Sequence, residues 1–324
     1  MSPAISLDSV SKSFGTTRAL NDVTISVPAG RVTAILGANG AGKSTAIRLL
    51  MGFDSPDSGT VSVLGLNPKT HATEIRSQTG YVPDTPSLYD WMTIAEIGWF
   101  AAGFYPTGFQ SEFDRLIRRF DLTPGDRIRG LSKGMKAKLS LTLAMAHRPA
   151  LLVMDEPTSG LDPLIRREFL ESMIDVAAEG RTVLLASHQV SEVERVADDV
   201  IVLLNGTVAA HESLDALKRS VSEVTISVPF TDQQKESVAP EIPGHIVAHV
   251  FSGSDHTWIV RDLDGGRLSE ICRRQKLPAP VVRKPSLEET LLIMLRQLRQ
   301  ESRELKQDSA APVEESPRKK AATF

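Results

Sequence analysis

The chain has 324 residues and a formal net charge of −3, a length that is ample for a buried core and predicts about two domains of ~150 residues each. The charge balance lacks the basic excess that is typical of nucleic-acid-binding proteins, so we expect no nucleic-acid partner. A single cysteine, Cys272, excludes an internal disulfide and a cysteine-based metal site, and it fits a reducing, cytosolic compartment.

No stretch of the sequence approaches the ~18–20 uninterrupted apolar residues of a membrane-spanning helix. The most apolar window, 139–154, is interrupted by His147, Arg148 and Pro149. Residues 1–10 show neither the basic segment nor the long apolar core of a secretory signal. We therefore expect a chain that cannot span a membrane alone, so that any role in transport requires a separate membrane partner.

Apolar and polar side chains alternate over residues 4–27, which predicts antiparallel strands. Phe14 lies between the two alternating runs, shortly before a glycine-rich loop. Its ring can stack on a purine base, or it can pack as an ordinary core residue of an edge strand. The sequence favours neither alternative over the other.

A glycine-rich stretch follows the apolar run 32–36 and precedes the amphipathic run 46–50. It consists of Gly37, Ala38, Asn39, Gly40, Ala41, Gly42, Lys43, Ser44 and Thr45. Strand, glycine loop and helix in this order predict a phosphate-binding loop, because backbone N–H groups and the helix N-terminus both face the same anion. Lys43 would reach the β- and γ-phosphates, and the Ser44 hydroxyl would ligate Mg²⁺. These flanks fit less well with the alternative, a glycine turn that only closes a strand–helix unit.

After the glycine-rich stretch, three short elements are predicted before the sequence becomes mainly helical. They are a strand over 60–64, a helix over 71–78 and a strand over 79–82. Two helical patterns rich in Phe and Trp follow within 93–120, separated at 106–108, and they predict a helical insertion in an α/β core. Trp91, Trp99 and Phe100 are either docking residues or helical core, and we expect core for most of them.

The α/β alternation resumes with a strand over 151–154, a helix to 178 capped by Asp162, a strand over 182–186, a helix over 190–197, and a hairpin of 199–204 with 207–210. Asp155 and Glu156 end the first of these strands, and His188 follows the second. Because the ends of parallel strands gather at one edge with the ligand, these side chains predict one site. Asp155 would hold Mg²⁺ through water, Glu156 would orient or deprotonate an attacking water, and His188 would contact the γ-phosphate. A lone histidine is usually structural, but this position favours function.

The composition changes after Lys218. Residues 220–299 mix strand-like and helical runs, which predicts a small α+β domain whose last helix begins at Ser286 with Glu289 in a capping box. Residues 300–324 are charged and poor in large apolar side chains, so we expect a disordered tail.

The stretch Leu131, Ser132, Lys133, Gly134 and Met135 precedes a helix, and here the sequence resembles the nucleotide-binding subunit of ATP-binding cassette (ABC) transporters. The resemblance covers roughly 4–217. It rests on five motifs in family order: the loop 37–45, the signature 131–135, the pair 155–156, the loop 159–162 and the switch 187–188.

The resemblance implies an α/β fold, with an ABC-type P-loop NTPase core over 1–219 that carries an antiparallel β subdomain and a helical insertion at about 85–145. It also implies ATP and Mg²⁺ as ligands. Two ATP molecules bind between two head-to-tail subunits in this family. Ser132 and the helix start at Gly134 would therefore bind the γ-phosphate from across a homodimer or heterodimer interface.

ATP closes such a dimer and hydrolysis opens it, and an integral membrane permease subunit responds to that motion. The resemblance therefore implies an ATPase that is cytoplasmic and peripheral on the inner face of the cell membrane, with the helical insertion docking the permease. The rival interpretations are a soluble ABC-type ATPase in DNA or translation processes, which the single cassette and the missing basic excess disfavour, and a nucleotide-binding module without turnover, which the intact motif residues disfavour.

Three positions depart from the family pattern. Lys133 replaces a glycine of the signature and adds a charge near the phosphate or, as we favour, faces solvent. Met135 replaces a glutamine of the signature. Asp84 replaces the family glutamine that approaches Mg²⁺ or the attacking water, and a shorter carboxylate can still reach either. Such variants resemble the subfamily that works with small export-type (ABC-2-like) permeases.

Overall fold

The structure, a computed structural model, describes residues 2–105, 107–227, 241–252 and 254–290. The chain divides into two compact units, Met1–Arg219 and Ser220–Phe324. The expectations for the tail 300–324 and for the last helix beyond Thr290 lie outside the described residues. Within the described ranges, no helix has both the length and the apolar character needed to cross a membrane.

Strands and helices alternate in the first unit. Its strands are β1 (Ile5–Phe14), β2 (Thr17–Val27), β3 (Val32–Leu36), β4 (Ser58–Val63), β5 (Thr79–Val82), β6 (Leu151–Asp155), β7 (Thr182–Ser187), β8 (Asp199–Leu204) and β9 (Thr207–Ser213). Its helices are α1 (Lys43–Leu50), α2 (Ala72–Gln78), α3 (Ile94–Ala102), α4 (Phe109–Arg119), α5 (Lys133–Met145), α6 (Pro163–Ala178), α7 (Val190–Val196) and α8 (Leu214–Ser220).

A six-stranded sheet lies at the centre of this unit, in the order β5-β6-β7-β3-β8-β9. The first five strands of that order run parallel, and only β9 is antiparallel to its neighbour. Every residue of β3, β6 and β7 is buried, as expected where both faces of a parallel sheet are covered. The predicted α/β core, including the hairpin of β8 and β9, is confirmed.

Strand order explains where the functional segments meet. β7 lies between β6 and β3, and all three run in the same direction. The segments that leave their carboxyl ends therefore come to one edge of the sheet. These segments are the glycine-rich loop, the pair 155–156 and the switch 187–188.

A second sheet, in the order β2-β1-β4, is antiparallel throughout and confirms the predicted β subdomain. Its inner face packs on α1 and on one side of the central sheet, in a core that includes Leu7, Leu20, Ile47 and Leu50, all at most 1% exposed. This packing fixes the start of α1 against the strand from which the glycine-rich loop emerges.

The helical insertion belongs to a second hydrophobic core of this unit, separate from the core beneath the antiparallel sheet. Ile94, Ile97 and Phe113 are buried where α3 meets α4. The expectation of a core position for most of Trp91, Trp99 and Phe100 is wrong, because Trp91 is 64% and Trp99 75% exposed. A helix of 9 residues has one buried face, and Ile94, Ile97 and Gly98 already occupy it. Phe100, at 37% exposed, also belongs to the outer face.

The second unit contains β10 (Val221–Ser227), β11 (His245–Ser252), β12 (Asp255–Arg261), α9 (Gly265–Arg274) and β13 (Val281–Arg283). Its strands form an antiparallel sheet in the order β11-β12-β10-β13. Leu268 and Cys272 of α9 pack with Trp258 in its core, so Cys272 is a buried, packed thiol. Ser286 and Glu289 form the predicted capping box, in which each side chain accepts a hydrogen bond from the other residue's N–H.

Candidate active site

A cavity of about 520 Å³ opens at the edge where β3, β6 and β7 end. Residues 39–45 of the glycine-rich loop line it together with Asp84, Glu156 and His188. The structure thus gathers at one cavity most of the side chains that the sequence singled out from four distant stretches.

The glycine-rich loop needs its glycine at position 42. Gly42 has φ of 108°, a left-handed conformation that side chains rarely adopt, and it caps the start of α1. A Cβ atom there would lie 2.6 Å from the carbonyl oxygen of Ala19. The close approach of β2 to the loop therefore excludes larger residues and leaves the N–H groups at the start of α1 facing the cavity.

Lys43 is buried at the base of the loop, with only 5% of its side chain exposed. Its ammonium donates hydrogen bonds to the carbonyl oxygens of Gly37 at 2.7 Å and Ala38 at 3.3 Å. The same ammonium lies 3.0 Å from Oε1 of Glu156 and forms an ion pair with it. Because a buried ammonium requires such partners, these contacts fix the charge at the bottom of the cavity.

Glu156 connects Lys43 to His188. Its Oε2 lies 2.7 Å from Nδ1 of His188, and the backbone N–H of His188 points to the same oxygen at 3.3 Å. Glu156 has φ of 49°, a sparsely populated conformation, and its own N–H donates to the carbonyl oxygen of Ala186 at 2.9 Å. This arrangement places a carboxylate at the cavity wall within reach of both a cation and an imidazole.

Asp155 lies beneath the cavity and is 5% exposed. Burial raises the pKa of its carboxyl group, the Ser44 hydroxyl opposes that rise through a hydrogen bond, and the charge of Glu156 adds to it. Its Oδ1 is buried without a hydrogen-bond partner in the protein. An unpartnered oxygen beside a hydroxyl, with Asp84 at the cavity wall, suits a hard cation such as Mg²⁺.

Among the described residues, no group of three or more His, Cys, Asp or Glu side chains could hold a metal ion by itself. This agrees with the habit of Mg²⁺, which takes one or two protein carboxylates and completes its shell with phosphate oxygens and water. The residues therefore fit Mg²⁺ only together with a bound nucleotide.

Six predicted site residues lie outside this cavity's lining: Gly37 and Ala38 at the start of the glycine-rich loop, Asp155 beneath the cavity, and Phe14, Ser132 and Gly134. Phe14 is 47% exposed, so the core alternative for it is wrong, and it pairs with Thr17, which does line the cavity. Ser132 is exposed at the start of α5, where its hydroxyl accepts a hydrogen bond from the N–H of Met135 at 3.2 Å. Gly134 is buried there, and a Cβ atom on it would lie 2.2 Å from Cδ1 of Ile165.

Lys133, the lysine of the signature 131–135, is exposed, and its ammonium lies beside Gly160 of the loop 159–162. A Cβ atom on Gly160 would be 2.7 Å from Nζ of Lys133. The side chain thus lies over a loop of its own chain.

Sequence reasoning missed some residues of the site. Residues 17–19 and Ser159 line the cavity, and Glu192 is buried behind it. Residues 17–19 face it only because the β1–β2 hairpin folds over the glycine-rich loop, which no local pattern reveals. Ser159 could have been found, since it begins a loop that the family resemblance already marked.

A phosphate-binding loop after the central strand of a parallel sheet, an adjacent Asp–Glu pair and a facing histidine define a P-loop nucleoside triphosphatase. The family model "ABC transporter" matches residues 20–159. The chain is 31% identical over 229 residues to the uncharacterized ABC transporter ATP-binding protein YdbJ of Bacillus subtilis (strain 168), covering 70% of this chain and 74% of that protein.

Further relatives carry related names. The chain is 38% identical over 223 residues to the Nod factor export ATP-binding protein I of Bradyrhizobium diazoefficiens, covering 66% of this chain and 72% of that protein. A solved structure, an ATP binding subunit of an ABC transporter, superposes with a TM-score of 0.63 at 34% identity, covering 67% of this chain and 92% of that one. The chain therefore belongs to the family of ABC transporter ATP-binding proteins.

Membership of this family makes the chain an ATP-binding and ATP-hydrolysing subunit of the ABC transporter class. The relatives favour the transporter interpretation over the soluble alternative, and the family's hydrolytic activity counts against a module without turnover.

Proposed function

We propose that this chain hydrolyses ATP with Mg²⁺ at a dimer interface and thereby drives a separate membrane permease in the direction of export. The observation that carries the proposal is the continuous contact from Lys43 through Glu156 to His188 at the wall of the cavity. The direction of export is supported by relatives that are named Nod factor export ATP-binding proteins.

The residues of the cavity divide the work of hydrolysis. The N–H groups of residues 39–45 and the ammonium of Lys43 bind the phosphates. Glu156 accepts the proton of the attacking water, and His188 holds the carboxylate and contacts the γ-phosphate. Ser44 and Asp155, with Asp84 nearby, would hold Mg²⁺, which neutralises charge on the phosphates.

A second subunit would complete the site. Ser132 lies outside the cavity lining yet is exposed at the N-terminus of α5, a helix of 13 residues. The partial positive charge of that helix end favours a phosphate group. In a head-to-tail homodimer or heterodimer, Ser132 and the turn at Gly134 would face the nucleotide of the opposite subunit.

The helical insertion supplies the surface for the permease. A cavity of about 400 Å³ lies between α3, the segment 81–89 and the end of α5. Exposed aromatic side chains line it, with Tyr89 at 50% and Phe104 at 72% exposure, and the ring of Trp91 lies 6.1 Å from that of Tyr89. Such an apolar patch is typical of a protein-binding site, so we place the permease contact here, on the inner face of the cell membrane.

The test is a pull-down of the tagged Glu156→Gln variant from detergent-solubilised membranes with ATP and Mg²⁺. We expect a membrane protein with several apolar segments of ~20 residues to co-purify. The same variant with Phe104→Ser tests the apolar patch: it should bind ATP equally well but retain less of the partner. Recovery of ribosomes, DNA or the dimer alone would overturn the transport role.

A further inference from the structure

A buried carboxylate lies between the two chain segments that carry Glu156 and His188. Glu192 is on the first turn of α7 and is 2% exposed. It does not line the cavity, so it does not touch a nucleotide there. Burying a carboxylate is costly unless it is paired, so its partners indicate what it stabilises.

Both carboxylate oxygens of Glu192 have partners. The Thr158 hydroxyl donates to Oε1 at 2.6 Å, and the Ser187 hydroxyl donates to Oε2 at 3.1 Å. Nε of Arg166 lies 3.3 Å from Oε1 and forms an ion pair with it. Thr158 and Ser187 are themselves at most 1% exposed, so water does not compete for these hydroxyls.

The two hydroxyls belong to the segments that position the Glu156–His188 contact. Thr158 follows Glu156 by two residues, and Ser187 directly precedes His188. Glu156 has the left-handed φ of 49°, which persists only where surrounding contacts hold the backbone. One carboxylate thus connects both sides of the 2.7 Å contact between Glu156 and His188.

We propose that Glu192 is a positioning residue for ATP hydrolysis: by holding Thr158 and Ser187 it keeps Glu156 and His188 in contact. The inference rests on the proposed role of Glu156 as the base. Since a displacement of a reacting group by about 1 Å can cost on the order of 10² in rate, a loosened pair lowers turnover without removing any phosphate contact.

Glu192→Gln in the full-length chain tests this inference. The amide keeps the shape but loses the charge, and its NH2 group donates where the carboxylate accepted, so one hydroxyl loses its acceptor. We expect the Kd of a fluorescent ATP analogue to change less than about threefold and its binding stoichiometry to stay at the wild-type value, while kcat falls about tenfold or more. Stoichiometry separates this effect from a smaller folded fraction. The matched control is Glu194→Gln, which removes a half-exposed carboxylate two residues away, paired with Lys218 at 2.8 Å.

A second set of variants removes the two hydroxyls that donate to Glu192 and leaves Glu192 itself in place. Thr158→Val with Ser187→Ala should reproduce the fall in kcat, and adding Glu192→Gln to that pair should lower kcat little further, because residues that act as one unit are not additive. If Glu192→Gln does not fold, the hydroxyl variants alone decide, and wild-type kcat in them overturns the proposal.

The outcomes also separate this inference from the proposed function. If Glu156→Gln retains turnover, the assignment of the base fails whatever Glu192 does. If Glu156→Gln abolishes turnover while Glu192→Gln hydrolyses ATP at the wild-type rate, only the positioning role fails. Equal losses in ATP stoichiometry and kcat would make Glu192 a purely structural residue and overturn the inference as well.

Discussion

Lys43 and Glu156 form a buried ion pair, with Nζ and Oε1 3.0 Å apart and side-chain exposures of 5% and 13%. The pair joins the group that we assign to phosphate binding to the group that we assign to water activation. A phosphate that binds Lys43 competes with Glu156 for the ammonium. Nucleotide binding would therefore release the carboxylate to act as a base while His188 still holds its other oxygen.

Glu156→Gln should bind ATP and hydrolyse it at least about 100-fold more slowly, the scale of a lost general base. ATP affinity should be retained or increased, because the neutral amide competes less well for Lys43. Phosphate release and equilibrium binding measure the two effects separately. Glu179→Gln, at a half-exposed carboxylate, controls for the loss of charge. Unchanged turnover in Glu156→Gln would exclude this residue as the base.

Lys43→Ala should weaken ATP binding by more than about tenfold, since a charge-assisted contact to phosphate contributes on the order of 1.5–3 kcal/mol. It should also destabilise the fold, because Glu156 is left buried without its cation. Calorimetric titration with ATP and thermal unfolding measure both. Lys69→Ala, at an exposed lysine, is the control. Wild-type affinity in Lys43→Ala would contradict the phosphate-loop assignment.

Gly98→Ala should destabilise the helical insertion. A Cβ atom at this position of α3 would lie 2.2 Å from Cε1 of Phe113, a ring with no exposed surface. Overpacking of this kind costs about 1–3 kcal/mol, and the better helix propensity of alanine offsets up to about 1 kcal/mol of it. We expect a fall in Tm of several degrees, measured by calorimetry.

A coupling measurement identifies the cause of that fall. Phe113→Leu should cost less in the Gly98→Ala background than alone, because it removes the clashing ring. Gly125→Ala is the neutral control, since no atom lies within 4 Å of the added Cβ. Additive losses in the double variant would show that the two positions do not compete for space.

The sequence was sufficient to predict the features whose signal lies within a short run of neighbouring residues. The glycine-rich loop before α1, the capping of α6 by Asp162 and the strand that ends at Asp155 are all local, and the structure has each of them. The convergence of Glu156 and His188 followed from one rule about the ends of parallel strands.

What the sequence did not predict depends on packing between distant segments. Nothing local distinguishes the buried Glu192 from Glu194, because only the fold brings Thr158 and Ser187 to the first of them. The exposure of Trp99 was missed for a related reason. An α-helix with apolar residues on all sides has no periodicity that would show which side faces the core.

His147 predicts a pH dependence of stability. Its ring stacks on Tyr105, with centroids 4.2 Å apart, beside the cavity of the helical insertion. Burial lowers its pKa to about 4; a hydrogen bond to the Thr79 backbone opposes this fall in part, and the charge of Arg181 adds the smallest effect, in the lowering direction. The folded protein therefore holds this imidazole neutral at pH values where the unfolded chain, with a pKa of 6.5, takes up a proton.

The sign follows from this difference in proton binding. Because the unfolded state binds more protons between about pH 6.5 and 4, the contribution of His147 is fully present above pH 6.5 and is lost as the pH falls toward 4. Urea unfolding from pH 7 to 4 should show a steeper loss of stability for the wild type than for His147→Gln, which cannot titrate.

Other groups titrate in the same range, so the difference between the two curves carries the information. His71→Gln, at an exposed histidine, controls for the removal of a histidine and should follow the wild type. Parallel curves for the wild type and His147→Gln would mean that the folded state protonates His147 as readily as the unfolded chain. The half-buried ring that stacks on Tyr105 would then open to solvent before the rest of the unit unfolds.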